Sequence, residues 1–261
     1  MNFRYIIYII FIIIFIIILF EKYLNKVYPK IESPNERFGW VLKKNLNIKI
    51  SHHDANKKKY EVNFITNEDG YRTFNNRSNS KLNILVLGDS FTGGSFASNK
   101  DMWFSVIAKR VSQKIFNNKK SVFVLAAGAN GYSTYQQYLH ALKIQKKFKP
   151  DILILQFCGN DYYNNHYDSE ILLPGFSSKY RRPYAIKKNN DIIYTKNNNL
   201  LAKLWRQYSL DNYKIINFSV GFYETVIFNF KKKLLNHNKF TSNEFLEHRT
   251  NRILITQTLL K

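Results

Sequence analysis

The sequence predicts an α/β domain, a sheet of parallel strands covered by helices on both faces, carried behind one apolar N-terminal helix. Three observations point there. Short apolar runs recur at residues 84–87, 121–126 and 151–157. Stretches with helical spacing separate them. Residues 5–20 contain only Ile, Phe, Tyr and Leu.

That opening run is apolar on every face, which argues against a core helix and for a membrane anchor over residues 1–22. Arg4 precedes it and Glu21-Lys22 follow, with Tyr5 and Tyr8 placed for an interface. A cleaved signal peptide needs small residues at the cut, and no alanine occurs before Ala55, so the anchor reads as uncleaved. Lys22, Lys26 and Lys30 after the helix favour a cytoplasmic C-terminal side, but long domains cross largely regardless of such charges. The expected location is a single-pass anchor with an extracytoplasmic domain.

Residues 23–80 read as a tether and hairpin lead-in. Pro29, Pro34 and Gly39-Trp40 punctuate it. In "KYEVNFITNEDGYRT", Tyr60, Val62 and Phe64 alternate before the turn residues Asn67 to Gly70, the pattern of a β-hairpin or edge strand. Residues 81–261 form the main domain. Residues 84–87 are a buried strand. Asp101 can cap a helix with Phe104, Ile107, Ala108, Val111 and Ile115 on one face. Residues 121–126 are a second strand. Ser133 or Thr134 can cap a helix with Tyr135, Tyr138, Leu139 and Leu142 on one face, ended by Pro150. Residues 151–157 are a third strand. "LLAKLWRQYSL" and "FYETVIFNFKKKLL" read as aromatic-rich helices that would cap the substrate side.

Composition narrows the function. With 261 residues, 45% hydrophobic and 16% aromatic, the chain can bury a core. The net charge of +22 is spread over scattered lysines with no arginine–aromatic alternation, so nucleic acid is not an expected partner. Cys158 ends an apolar run and reads as a buried, inert thiol. No Cys/His cluster has metal-ligand spacing.

Three polar sites fall just after the three strands: Ser90 in "GDSFTGG", Gly131 in "AAGANGYST" and Asn160 in "CGND". The carboxyl edge of parallel strands is where open α/β sheets build their sites. A serine, a glycine N–H and an asparagine amide there are the parts acyl transfer needs, a nucleophile and donors for an oxyanion. Alone, Ser90 reads as a strand-end turn serine and Asn160 as a capping asparagine; together they point to a site.

In order and spacing, "GDSFT", the glycine of "GANGYST" and "GND" resemble blocks I, II and III of the SGNH (GDSL-type) hydrolases. "FGWVLKKN" and "ITNEDGYRT" look like the lead-in of a membrane-anchored bacterial branch, some of whose relatives handle acetyl groups on exopolysaccharides. The resemblance covers roughly residues 38–164. It implies a three-layer, flavodoxin-like sheet of parallel strands and an esterase or acyl (acetyl) transferase. The implied substrate is an ester or acetylated glycan, with no metal or organic cofactor. Ser90 matches the nucleophile; its N–H, the N–H of Gly131 and the amide of Asn160 match the oxyanion hole. Gly128 competes for the block II place, but Gly131 is the one followed by Tyr-Ser-Thr. Asp89 and Asp161 are expected to hold their loops by hydrogen bonds.

The family's fourth block, D-x-x-H, supplies the general base. None of the nine aspartates has a histidine three residues later. His166, five residues past Asp161, and His248 are the substitute candidates. On the resemblance, the sheet reads as incomplete at its C-terminal end and the chain as a fragment. A non-catalytic anchored scaffold is the alternative expectation.

Overall fold

The computed structural model describes residues 3–118, 121–165, 167, 170, 177–188 and 191–234. Helix α1 (Phe3–Val27) contains the apolar run 5–20 and continues five residues past the expected anchor end at residue 22. It spans about 37 Å at 1.5 Å per residue, against about 30 Å of bilayer hydrocarbon. It is long and apolar enough to cross a membrane, and its side chains are exposed.

Two hairpins follow. β1 (Glu32–Asn35) pairs with β2 (Gly39–Leu42), and β3 (Asn47–His53) with β4 (Lys59–Ile65), both antiparallel. On β4, Val62 and Phe64 are buried and Tyr60 half-buried, while the residues between them are exposed. Trp40, Leu42 and Phe64 pack against Ala129 and Tyr132, so the lead-in supports a loop of the main domain.

The sheet has four described strands in the order β5 (Arg72–Phe74), β7 (Ser121–Gly128), β6 (Ser80–Gly88) and β8 (Ile152–Leu155). β6 is parallel to both β7 and β8, but β5 is antiparallel to β7. The described sheet is therefore mixed, not wholly parallel as expected. The cause is chain length. Residues 75–79 are too few for a crossover, so the chain must reverse between β5 and β6.

Helices cover both faces. Ile84 and Val86 of β6 and Val122, Val124 and Ala126 of β7 pack with Phe104 and Ala108 of α3 (Trp103–Phe116). The alternate residues Leu85, Leu87, Phe123, Leu125 and Ala127 face Ile144 of α4 (Thr134–Ile144) and Phe148. This period of two sorts one strand's side chains between two layers. Asp101 does not cap α3; it belongs to the 3-10 turn before it, and Met102 is the cap residue without a side-chain bond. Ile115 is exposed rather than inward. Ser133, not Thr134, caps α4, in a reciprocal capping box with Gln136. Beyond β8 come the short α5 (Asp161–Asn164), the hairpin β9 (Pro183–Lys188)–β10 (Asp191–Lys196), α6 (Leu200–Gln207) and α7 (Lys214–Leu234). Trp205 and Ala202 of α6 are fully buried against Tyr180.

Candidate active site

The turn after β6 is set by close backbone approach. A side chain at Gly88 would meet Thr92 Oγ1 at 2.2 Å, and one at Gly93 would meet the Gly128 carbonyl oxygen at 2.3 Å. The tight turn opens the short helix α2 (Ser90–Gly93), with Asp89 as its cap. Asp89 is buried and accepts from the Phe91 N–H at 3.0 Å. Gln156, just past β8, accepts from the Asp89 N–H (3.3 Å) and the Thr92 hydroxyl (3.2 Å). Ser90 is the first residue of α2 and half-buried.

The strand ends are level. Gly88 pairs with Gly128, and Leu87 with Leu155. Adjacent strands lie about 4.8 Å apart, so the ends of β7, β6 and β8 fall across about 10 Å. Ser90 follows the central strand; Gly131 and Asn160 follow the strands on either side. The parallel strands run second, first, third in chain order, which puts the switch in winding direction between β6 and β8. Among the described residues, the N–H groups of Ser90 and Gly131 and the side-chain amide of Asn160 donate to no other group.

Gly131 has φ +65°, a left-handed conformation that favours glycine. Its loop is fixed from outside. The Asn130 N–H donates to Glu32 (3.1 Å), and the Asn130 carbonyl accepts from the Trp40 indole (3.1 Å). In a trans peptide the C=O and the following N–H point in opposite directions. Trp40, by holding the Asn130 carbonyl, sets the direction of the Gly131 N–H. The Gly131 carbonyl accepts from Arg182 (2.6 Å) and from the Asn164 side chain (3.2 Å). Asn164 lies on α5, whose cap is Asn160, so the loops after β7 and β8 are bonded together.

Residues 86–221 match the model of the GDSL-like Lipase/Acylhydrolase family. The chain belongs to that family. The match contains Ser90, Gly131 and Asn160, and it carries ester-hydrolysing chemistry at a general level. No curated protein matches the chain.

In this GDSL-like domain the two aspartates hold backbone. Asp161 is buried and accepts from the Cys158 N–H (2.9 Å) and from Gln137 (3.4 Å to each oxygen). Burial pushes its carboxyl up to about 7; the Cys158 N–H opposes this, and nearby Asp89 adds to it. Cys158 itself is half-buried rather than buried.

His140 belongs to the core. Its ring stacks on Phe38 and Tyr132. The Tyr132 hydroxyl donates to the Trp40 carbonyl (2.6 Å), so it accepts from His140 Nε2 (3.0 Å). Nδ1 then accepts from the Tyr71 hydroxyl (3.2 Å). Burial lowers the imidazole to about 3, and Lys143 and Arg37 add to the fall. His52 Nε2 donates to the Ser95 carbonyl at 2.9 Å, and His53 is exposed. The candidate bases His166 and His248 lie outside the described residues.

Sequence reasoning missed the supports. Arg72 is buried and donates to the Gly94 carbonyl, the Ala97 carbonyl (2.7 Å) and Asn99 Oδ1 (3.0 and 2.7 Å), gripping the segment after α2. Arg182 is buried with Glu170 at 2.6 Å and also donates to Gln136. Their partners are 12 to 51 residues away, so no local pattern marks them.

Proposed function

We propose that the chain is a serine esterase or acyl transferase acting through an acyl-Ser90 intermediate. The Ser90 oxygen attacks the ester carbonyl carbon as a base removes its proton. The N–H groups of Ser90 and Gly131 and the Asn160 amide receive the oxyanion. The tetrahedral intermediate collapses, the alcohol leaves with the proton, and water or an acceptor hydroxyl then takes the acyl group from Ser90. One observation carries this reading: a serine at the central strand end, flanked on both neighbouring strand ends by donors that no described residue engages.

The favoured substrate is an acetyl ester on an envelope glycan, and the favoured location is a single-pass anchor with the domain outside the cytoplasm. Both rest on the resemblance of "FGWVLKKN" and "ITNEDGYRT" to the membrane-anchored branch. The second reading is a non-catalytic anchored scaffold. It is favoured by the described histidines, since His140 is locked between two tyrosines and His52 is bonded to Ser95.

A fluorophosphonate probe on the full chain in membranes separates the two. The esterase reading expects labelling that disappears in Ser90→Ala. Folded chain that takes no label supports the scaffold.

A further inference from the structure

Helix α7 is built into the fold along one side only. Ile216 and Val220 pack against the Tyr180–Ala202–Trp205 cluster. Glu224 pairs with Lys179 at 2.9 Å and accepts from the Tyr180 hydroxyl. Positions 216, 220 and 224 recur every four residues and share that inner face. The outer side carries Phe218 (76% exposed), Phe222 (64%) and Val226 (48%) at the same spacing, with Tyr223 (65%) on the flank. A stripe of this kind differs from scattered surface apolars and marks a binding face.

The position of α7 identifies what covers it. Glu21 on α1 accepts the backbone N–H groups of Lys214 (2.9 Å) and Ile215 (3.0 Å), so α1 caps the start of α7. Lys214 donates to the Tyr28 carbonyl, and Lys30 donates to the carbonyls of Asp211 and Asn212. Helix α7 therefore begins at the level where α1 passes from the apolar residues 5–20 to Glu21-Lys22. With α1 in a bilayer, that level is the headgroup boundary. Charge agrees: Lys22, Lys26 and Lys30 cluster at this end of α1, and the α7 sequence closes on Lys231-Lys232-Lys233.

We infer that α7 lies in the membrane interface and seats Phe218, Phe222 and Val226 in the outer acyl region of a bilayer containing anionic lipid. Helices of this kind bury their apolar face roughly 5–10 Å deep. The domain is then held to the membrane at two elements, α1 and α7, which restricts how the carboxyl edge of the sheet can turn relative to the lipid. The inference rests on α1 being the spanning helix, and its test separates the two claims.

The full chain, in a Cys158→Ser background, is spin-labelled at Phe222→Cys and reconstituted in phosphatidylcholine/phosphatidylglycerol vesicles. Label at Phe15→Cys in α1 reports the anchor, and label at exposed Lys100→Cys reports water. Collision with oxygen, which favours lipid, is compared with collision with a water-soluble nickel chelate. The expected oxygen-to-nickel ratio at Phe222 is severalfold above that at Lys100 and approaches that at Phe15. A Phe222 label that reads like Lys100 while Phe15 reads as lipid overturns the inference and leaves the anchor standing. A Phe222 label shielded from both quenchers means protein covers this face, from elsewhere in the chain or a second copy, and also overturns it. If Phe15 reads as water, the anchor falls and the inference with it. Val226→Cys, one turn on, repeats the measurement should Phe222→Cys not fold.

Discussion

The Ser90 turn and the Gly131 loop sit side by side at one sheet edge and are held in opposite ways. The Ser90 turn is held mostly by itself and its immediate neighbours. Asp89 caps it, Gly93 lies against Gly128, and Gln156 closes it from the next strand. The Gly131 loop contributes little of its own. Glu32, Trp40, Arg182 and Asn164 hold it, from the lead-in hairpin, the segment before β9, and α5. A nucleophile turn needs close backbone packing, which glycines supply locally. A loop that must present one N–H in one direction needs its carbonyls fixed, and other parts of the chain can do that.

The largest test of this contrast compares the two buried arginines. Arg182 shares its burial with Glu170, whereas Arg72 is satisfied by carbonyls and Asn99. Arg182→Met removes the guanidinium from a buried carboxylate and is expected to cost about 3–5 kcal/mol. Arg72→Met strands acceptors but no charge and is expected to cost about 1–3 kcal/mol. Thermal unfolding of the full chain in mild detergent reads both. Pairing Arg182→Met with Glu170→Leu should recover part of the loss. Equal losses for the two single variants, with no recovery in the double, would contradict the contrast.

A smaller test uses the glycines. At Gly93 an added methyl meets the Gly128 backbone, which cannot give way, so Gly93→Ala is expected to cost about 1–3 kcal/mol by overpacking. At Gly131 the nearest atom to such a methyl is Arg182 Nη2 at 3.7 Å. Only the left-handed backbone is strained there, for roughly 1–2 kcal/mol. If Gly131→Ala proved the more destabilising of the two, the loop would be packed more tightly than its surroundings indicate.

The same contrast explains what was legible in the sequence. The three strands, the helices between them and the positions of Ser90, Gly131 and Asn160 beyond strand ends could be read, because apolar runs and turn glycines are local signals. The antiparallel β5 follows from the short 75–79 connection, which was visible but unused. The grip of Arg72, Arg182, Trp40 and Glu32 could not be read, since each acts across a long stretch of chain on a backbone atom that carries no sequence mark. His140 falls in the helical stretch after the second strand, and its burial between Tyr71 and Tyr132 depends on tertiary packing.

A pH slope probes the Gly131 side on its own. Glu32 is pushed up to about 7 by burial, opposed by the Asn130 N–H, and Asp161 also stands at about 7. Both hold more protons folded than unfolded between their ordinary values and pH 7, so their contribution to stability is present in acid and lost as pH rises through that window. His140 has the opposite sign. Its folded value is about 3 against 6.5 unfolded, so the folded state binds fewer protons in that window and stability falls as pH drops. In the native chain the two trends oppose each other. His140→Gln removes one of them while leaving the tyrosines a polar partner. Whatever its cost at pH 7, the variant should gain on the native chain by up to about 1.4 kcal/mol for each pH unit between about pH 6 and pH 4. Unfolding midpoints of both proteins across that range measure the difference. A difference that stays constant with pH would show that His140 titrates alike in the folded and unfolded chain, contrary to its burial between Tyr71, Tyr132 and Phe38.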